Sequence, residues 1–259
     1  MTISKMEAAV RRKYEDPAEV AGYAAIAGEG LTPFEAALIR DAFTPGQRIL
    51  DVGCGGGRET VPLARLGLRV VAMDLIPAMV EAARSYAARQ GVSVQTLVGD
   101  LVSLPFGDQS FDGVVMLGQV ISFVPGRATR VAALRLLQGI LRPGALLIMS
   151  THNWRCHWKF WLYFAWVNRW RRLLRRLGRD SGLGDYDRWS PRINRVGSGR
   201  PVFFHMYDLE EAVADLRAAG FEIVQARARA ELEAGREDLA LRSRDYLLGF
   251  IARRPAGDA

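Results

Sequence analysis

The residues best placed to do chemistry fall in three short places. The first is Asp51 with Gly53, Gly55 and Gly57, inside Ile49-Leu50-Asp51-Val52-Gly53-Cys54-Gly55-Gly56-Gly57-Arg58-Glu59-Thr60. An apolar run ends in an acid and then in glycines. It opens into Pro62-Leu63-Ala64-Arg65-Leu66, so a strand turns through bare backbone into a helix N-terminus. Such a corner aims N–H groups at a ligand's polar end, and its glycines let the ligand approach closely. The second is Asp74, 21 residues past Gly53 and directly after Val70-Val71-Ala72-Met73. A carboxylate there can accept hydrogen bonds from both hydroxyls of a ribose. The third is Gly99-Asp100, after a further short apolar run. Three successive strands therefore end in glycines or acids on one sheet edge, where open α/β sheets bind their ligands.

The spacing sets this corner apart from commoner nucleotide turns. Arg58 stands where the dinucleotide pattern G-x-G-x-x-G, read from Gly53, needs its last glycine, and no Gly-Lys-Ser/Thr occurs at the turn, which excludes a P-loop. Cys54 reads as a small buried residue, not a nucleophile. The two cysteines, Cys54 and Cys156, offer neither a disulfide framework nor metal-ligand spacing, so no metal is expected.

The elements that must position these residues alternate regularly. Strands are expected at Arg48–Val52, Arg69–Met73, Ser93–Val98, Phe111–Leu117 and Ala145–Ser150, with helices at Glu59–Leu66, Ala78–Arg89 and Ala128–Leu141 between them. Strands as apolar as Val114-Val115-Met116-Leu117 suit a parallel sheet covered on both faces. After residue 200 a helix at Leu209–Ala219 and strands at Phe221–Arg227 and Tyr246–Ala252 complete the pattern. The expected fold is α/β, Rossmann-like and doubly wound, with a seven-stranded, mostly parallel sheet and a helical insert after the fifth strand. Ahead of the sheet, Ile3–Lys13 reads as a weakly amphipathic helix, and Tyr14 and Tyr23 flank the Glu15-Asp16-Pro17 break. Thr32-Pro33-Phe34-Glu35 has the parts of a capping box, starting a helix to about Phe43. The domains expected are residues 1–46 as helices over the site, 47–150 with 201–259 as the sheet domain, and 151–200 as the insert.

Leu50-Asp51-Val52-Gly53-Cys54-Gly55-Gly56-Gly57 closely resembles the first motif of class I S-adenosylmethionine-dependent methyltransferases. Asp74, Gly99-Asp100, the stretch Leu104 to Asp112, and Leu141-Arg142-Pro143-Gly144-Ala145 match that family in order, over roughly Gln47 to Ser150 and more loosely Tyr207 to Arg253. The resemblance implies S-adenosyl-L-methionine as cofactor. It implies that Gly53, Gly55 and Gly57 pack against the methionine part, with Asp51 behind them near the amino group. It gives the ribose hydroxyls to Asp74, with Leu75 beside it, and the adenine to Asp100 and Leu101. Leu117 and Gln119 would lie near the sulfonium, Tyr23 beside the cofactor, and Arg58 either at its carboxylate or simply exposed at a helix start. The reaction implied is methyl transfer to oxygen or nitrogen of a small acceptor. Candidate bases are His152, after the fifth strand, and His205, before the Asp208 helix start. An Asn-Pro-Pro-Tyr type motif is missing after the fourth strand, which argues against base amines and protein amides as acceptors.

The insert is what sets this chain apart. Of 35 Lys and Arg and 28 Asp and Glu, residues 151–200 hold 12 basic residues against 3 Asp, a local charge of +9 that leaves −2 for the remainder of a chain at +7. Residues 154–177 hold five of the 6 tryptophans. The leading expectation is a helical cap whose Trp154, Trp158 and Trp161, with Tyr14, line an apolar acceptor site. The next is peripheral membrane contact through residues 154–177, followed by a homodimer contact, with RNA last because the rest of the chain is slightly acidic. Gly178–Gly199 reads as a loop over the site. The Met1–Pro17 stretch has no apolar signal core, and the longest apolar run, Phe160–Val167, is too short to span a bilayer. A cytoplasmic location is expected, with a membrane-peripheral one as its variant. A rival from another class is a cofactor-binding protein that transfers nothing and uses the Trp/Arg helix for a partner.

Overall fold

A computed structural model describes residues 3–179, 182–190, 199–233 and 245–257. Three N-terminal helices, α1 (Ile3–Tyr14), α2 (Pro17–Ile26) and α3 (Pro33–Ile39), precede the sheet. The third starts on the expected capping box: Thr32 Oγ1 accepts from the Glu35 N–H, and the Glu35 carboxylate accepts from the Thr32 N–H at 2.8 Å. The alternating segment runs β1 (Arg48–Val52), α4 (Thr60–Arg65), β2 (Arg69–Asp74), α5 (Pro77–Arg89), β3 (Gln95–Val98), β4 (Phe111–Met116), α6 (Arg127–Ile140) and β5 (Leu141–His152). Next come α7 (Trp158–Arg176), β6 (Asp187–Ser190), β7 (Val202–His205), α8 (Leu209–Ala218), β8 (Glu222–Ala228), α9 (Arg229–Glu233) and β9 (Leu247–Arg253).

Seven strands form one sheet in the order β3-β2-β1-β4-β5-β9-β8. The first five run parallel, and β9 enters antiparallel between β5 and β8. Strand order reverses beside β1, so the loops after β1, β2, β3 and β4 open on the crevice where such sheets bind ligands. The apolar runs of β1, β2, β4 and β5 are buried on both faces, with Leu50, Val114 and Leu147 packing on one side and Ile49, Val115 and Ile148 on the other.

Two features depart from the sequence expectation. β5 is longer than Ala145–Ser150: it runs from Leu141 to His152 and pairs with β9 from Leu146 onward. The segment expected as a loop, Gly178–Gly199, includes β6, which pairs antiparallel with β7 in a separate two-stranded ribbon; residues 180, 181 and 191–198 of that loop lie outside the described residues. The ribbon packs on α1: Val202 and Phe203 join Met6 and Val10 in a small apolar cluster, with Tyr14, Phe123 and Trp189 at its margin.

Candidate active site

At the β1 tip the backbone turns sharply, and two glycines there are required by space. A Cβ on Gly53 would sit 2.3 Å from Val120 Cγ2, at a φ of +73° that side chains rarely adopt. A Cβ on Gly56 would sit 2.7 Å from the Tyr23 carbonyl oxygen. Backbone contact holds the turn to β2, since the N–H groups of Gly53 and Cys54 donate to the Met73 carbonyl at 2.7 and 3.1 Å. Asp74 completes the tie, one oxygen accepting from the Gly55 N–H and the other from the Ile76 N–H, both at 2.9 Å. Burial pushes the Asp74 carboxyl above its usual value, and the N–H groups of Ile76 and Gly55 pull the other way.

These tips open on a cavity of about 810 Å³. Its lining includes Gly53, Gly55, Gly56, Asp74, Leu75, Asp100, Leu101 and Gln119, and from the N-terminal helices Tyr14 and Tyr23. The described lining holds six carboxylates (Glu7, Glu29, Glu35, Glu59, Asp74 and Asp100) against two guanidinium groups, Arg11 and Arg58. The interior therefore favours a ligand with cationic ends. Gln119 closes the β4 side in the left-handed region at φ +60°, its amide donating to Ser150 Oγ at 3.2 Å. A bulky residue in that conformation is uncommon outside turns and functional sites.

Arg58 is neither free nor exposed. Its guanidinium donates to both Glu35 oxygens at 2.6 Å and to the Gly30 carbonyl at 2.9 Å, and it pairs with Glu59. The capping-box acid of α3 thus also clamps the glycine turn to the N-terminal helices. Burial pushes Glu59 well above the usual carboxylate range, with Glu35 and Asp51 adding to the rise and Arg58 opposing it. Asp51 stands behind the turn, outside the cavity lining. It accepts from the Thr60 hydroxyl at 2.6 Å, and burial lifts its carboxyl to about 6. Gly57 and Leu117 are also away from the lining: Gly57 packs on Ala83, and Leu117 is buried in the core. Burial also raises the Cys54 thiol well above its usual value, so it stays protonated.

Tyr14 and Tyr23 meet edge to face, ring centres 6.0 Å apart, and their side chains hydrogen-bond. Burial raises Tyr14 well above the ordinary phenol value and Tyr23 to about 12, so both remain phenols at neutral pH. Phe123 packs on Tyr14 at 5.4 Å, edge to face. Glu7, Arg11, Phe123, Val124 and Pro125 line the cavity beside them and were not anticipated from the sequence. For Glu7 and Arg11 the only signal was the amphipathic first helix, which does not say what it covers.

The structure does not bring the expected bases or the aromatic insert to this cavity. His152 is buried among Phe204 and Tyr246, neither ring nitrogen has a hydrogen-bond partner among the described residues, and desolvation lowers its pKa to about 4. His205 is gripped on both sides, Nδ1 lying 2.8 Å from Asp187 Oδ1 and Nε2 3.0 Å from Glu211 Oε1. That grip ties the ribbon to α8 and leaves no ring nitrogen for an acceptor. Trp154 is buried, stacked on Tyr186 with ring centres 4.6 Å apart. Trp158 and Trp161 are exposed on α7. None of these five lines the cavity. Among the described residues, no group of acids, histidines and cysteines could hold a metal ion.

A family model described as a methyltransferase domain matches residues 49–144. An uncharacterized protein of Mycobacterium tuberculosis is 32% identical over 150 residues, 58% of this chain and 53% of that protein. A ubiquinone biosynthesis O-methyltransferase of Xanthomonas campestris is 38% identical over 110 residues, 42% of this chain and 44% of that protein. The chain spans about half the length of the curated relatives it matches. A crystal structure of a SAM-dependent methyltransferase from Methanosarcina mazei superposes with a TM-score of 0.63 at 25% identity, over 87% of this chain and 99% of that one.

Proposed function

We propose, from the methyltransferase-domain match over residues 49–144 and the fold shared with a SAM-dependent methyltransferase, that the protein is a class I S-adenosylmethionine-dependent methyltransferase that moves a methyl group to oxygen or nitrogen of a small apolar or aromatic acceptor. The observation that carries this reading is the tie between the glycine turn and Asp74 at the mouth of an acid-rich cavity.

The donor set fits the cofactor. Asp74 has acceptor capacity left for ribose hydroxyls after taking two backbone N–H groups. Asp100 and Leu101 offer an acceptor and an apolar wall for an adenine. Gly53 to Gly56 give bare backbone for the amino-acid end, beside Glu35, whose carboxylate is engaged by Arg58. When bound, the cofactor supplies a methyl on a sulfonium, displaced in line with a neutral thioether leaving.

This chain's residues then have mainly to position and to exclude water, and orientation alone can supply roughly 7–11 kcal/mol of barrier lowering. Tyr14, Phe123, Val124 and Pro125 form the apolar acceptor wall, held by the N-terminal helices as a cover. The described lining contains no histidine, and Tyr14 and Tyr23 stay protonated. An acceptor that ionises easily, such as a phenol, or a neutral amine suits such a lining, because neither demands a strong protein base.

A second reading makes the acceptor a membrane-dissolved phenol. It is favoured by the similarity to ubiquinone biosynthesis O-methyltransferases and by the aromatic residues that α7 turns outward. To test the function, the protein is incubated with cofactor carrying a deuterated methyl and a panel of phenols, catechols and arylamines, short-chain and prenylated. The reading expects S-adenosylhomocysteine and a labelled product with at least one of them. Saturable cofactor binding with no turnover across the panel would favour the non-catalytic rival.

A further inference from the structure

We propose that the outward face of α7 docks the protein on an anionic phospholipid surface. The inference stands on the helix alone and is independent of the acceptor's identity.

The helix is fixed to the protein by one face. Phe164, Asn168 and Arg171 are buried there, and the Arg171 guanidinium donates to the carbonyls of Gly184 and Asp187 at 2.8 and 2.9 Å. Arg188, from the ribbon, lies over the rings of Phe160 and Tyr163 at 5.1 and 5.6 Å. The packing of Phe164 and the two hydrogen bonds of Arg171 fix which face of the helix turns inward.

The opposite face has the wrong polarity for water. Trp158, Leu162, Trp166, Leu173 and Leu177 recur at gaps of 4, 4, 7 and 4, which is one helical stripe, with Trp170 beside it. Trp158 is 64% exposed, Trp166 70% and Leu177 64%. A helix on a globular protein ordinarily turns such a stripe toward the core. An exposed, contiguous apolar patch of this kind marks an interaction surface.

Charge selects the occupant. The helix contains no carboxylate, and Lys159, Arg169, Arg172 and Arg176 are exposed along and beside the stripe. Indoles at the headgroup level with basic side chains reaching for phosphates is the arrangement of an interfacial helix. At 19 residues it would lie along about 28 Å of surface. Among the described residues no helix is long and apolar enough to cross a membrane, which leaves contact along the surface as the mode for this stripe. A second copy is the poorer occupant, because an isologous contact sets the patch against itself and brings arginine onto arginine. Nucleic acid is poorer too, because the basic charge is confined to the insert and the rest of the chain is slightly acidic.

The test is co-sedimentation of the whole protein with vesicles of phosphatidylcholine, alone or with a quarter phosphatidylglycerol, at low and high salt. Binding is expected to the anionic vesicles, weakened by salt, with a blue shift of tryptophan emission. Arg169→Ala and Arg176→Ala should each weaken it about fivefold. Trp158→Ser with Trp166→Ser should abolish the blue shift's largest part and reduce binding at least as much, while the thermal midpoint and S-adenosylhomocysteine affinity stay at wild-type values. No binding to anionic vesicles at low salt would overturn the proposal. So would equal binding by wild type and the tryptophan pair, a dimer that shields the tryptophans without vesicles, or tighter binding to single-stranded RNA than to vesicles.

Discussion

The tips of β1 to β3 and the face of α7 hold the chain's two most unusual compositions, and they are built in opposite senses. At the tips, glycines and acids turn inward, and their hydrogen bonds close on one another: Gly55 on Asp74, Arg58 on Glu35, Thr60 on Asp51. On α7, tryptophans and leucines turn outward, and the polar Asn168 and Arg171 are what the helix buries. Composition alone marks both regions as functional. Burial tells them apart, a lined cavity in one case and an exposed apolar face in the other.

The sharpest contrast within α7 lies between Phe164 and the tryptophans. Phe164→Ala empties a site in the cluster of Trp154, Phe204 and Met206 and should cost about 3–5 kcal/mol of stability, read by denaturant unfolding. A cost below about 1 kcal/mol would mean that the helix is not anchored by this face.

His152 extends the comparison to acid. A histidine buried neutral, with its pKa lowered to about 4 from 6.5, binds fewer protons folded than unfolded between those values. Stability contributed by that difference is present above about pH 6.5 and is lost as pH falls toward 4, amounting to about 3 kcal/mol in full. His152→Phe should flatten the acid side of the stability curve. Asp51, raised to about 6, acts in the opposite direction, favouring the fold as it takes its proton, so the variant should show the Asp51 slope more plainly.

For the cavity, Asp74→Ala removes the acceptor for two backbone N–H groups and, on the proposed placement of the cofactor, for its ribose hydroxyls. It should weaken S-adenosylhomocysteine binding by about 100-fold or more, on the scale of charge-assisted hydrogen bonds. The smallest effect belongs to Trp166→Ser, which should change stability by less than about 0.5 kcal/mol and leave cofactor affinity alone. If Trp166→Ser weakened the cofactor as much as Asp74→Ala, the two regions would be one site.

The sheet was legible because parallel strands covered on both faces leave uninterrupted apolar runs, punctuated here by Pro45-Gly46, Gly53 and Pro143-Gly144. The positions of Asp74 and Asp100 followed from the ends of those runs. The ribbon was not legible. Asp187–Ser190 and Val202–His205 are four residues each, and a contact between distant residues, Asp187 with His205, fixes their pairing. His205 looked like a base because nothing in the sequence announces the carboxylates that grip it. His152 sits two residues beyond the expected strand, and only the continuation of β5 carries it into the core. The tryptophan periodicity defined a helical face, yet periodicity does not say whether a face looks in or out. For α7 the ordinary assumption, apolar inward, fails at Trp158 and Trp166.

The account rests most heavily on the cavity at the glycine turn as the cofactor site. Calorimetric titration of S-adenosylhomocysteine into the wild-type protein and into Asp74→Ala tests it directly. The account predicts saturable binding at one site per chain in the wild type, and a loss of about 100-fold or more in the variant. No heat from the wild type at millimolar ligand, or equal affinity in both proteins, would contradict it.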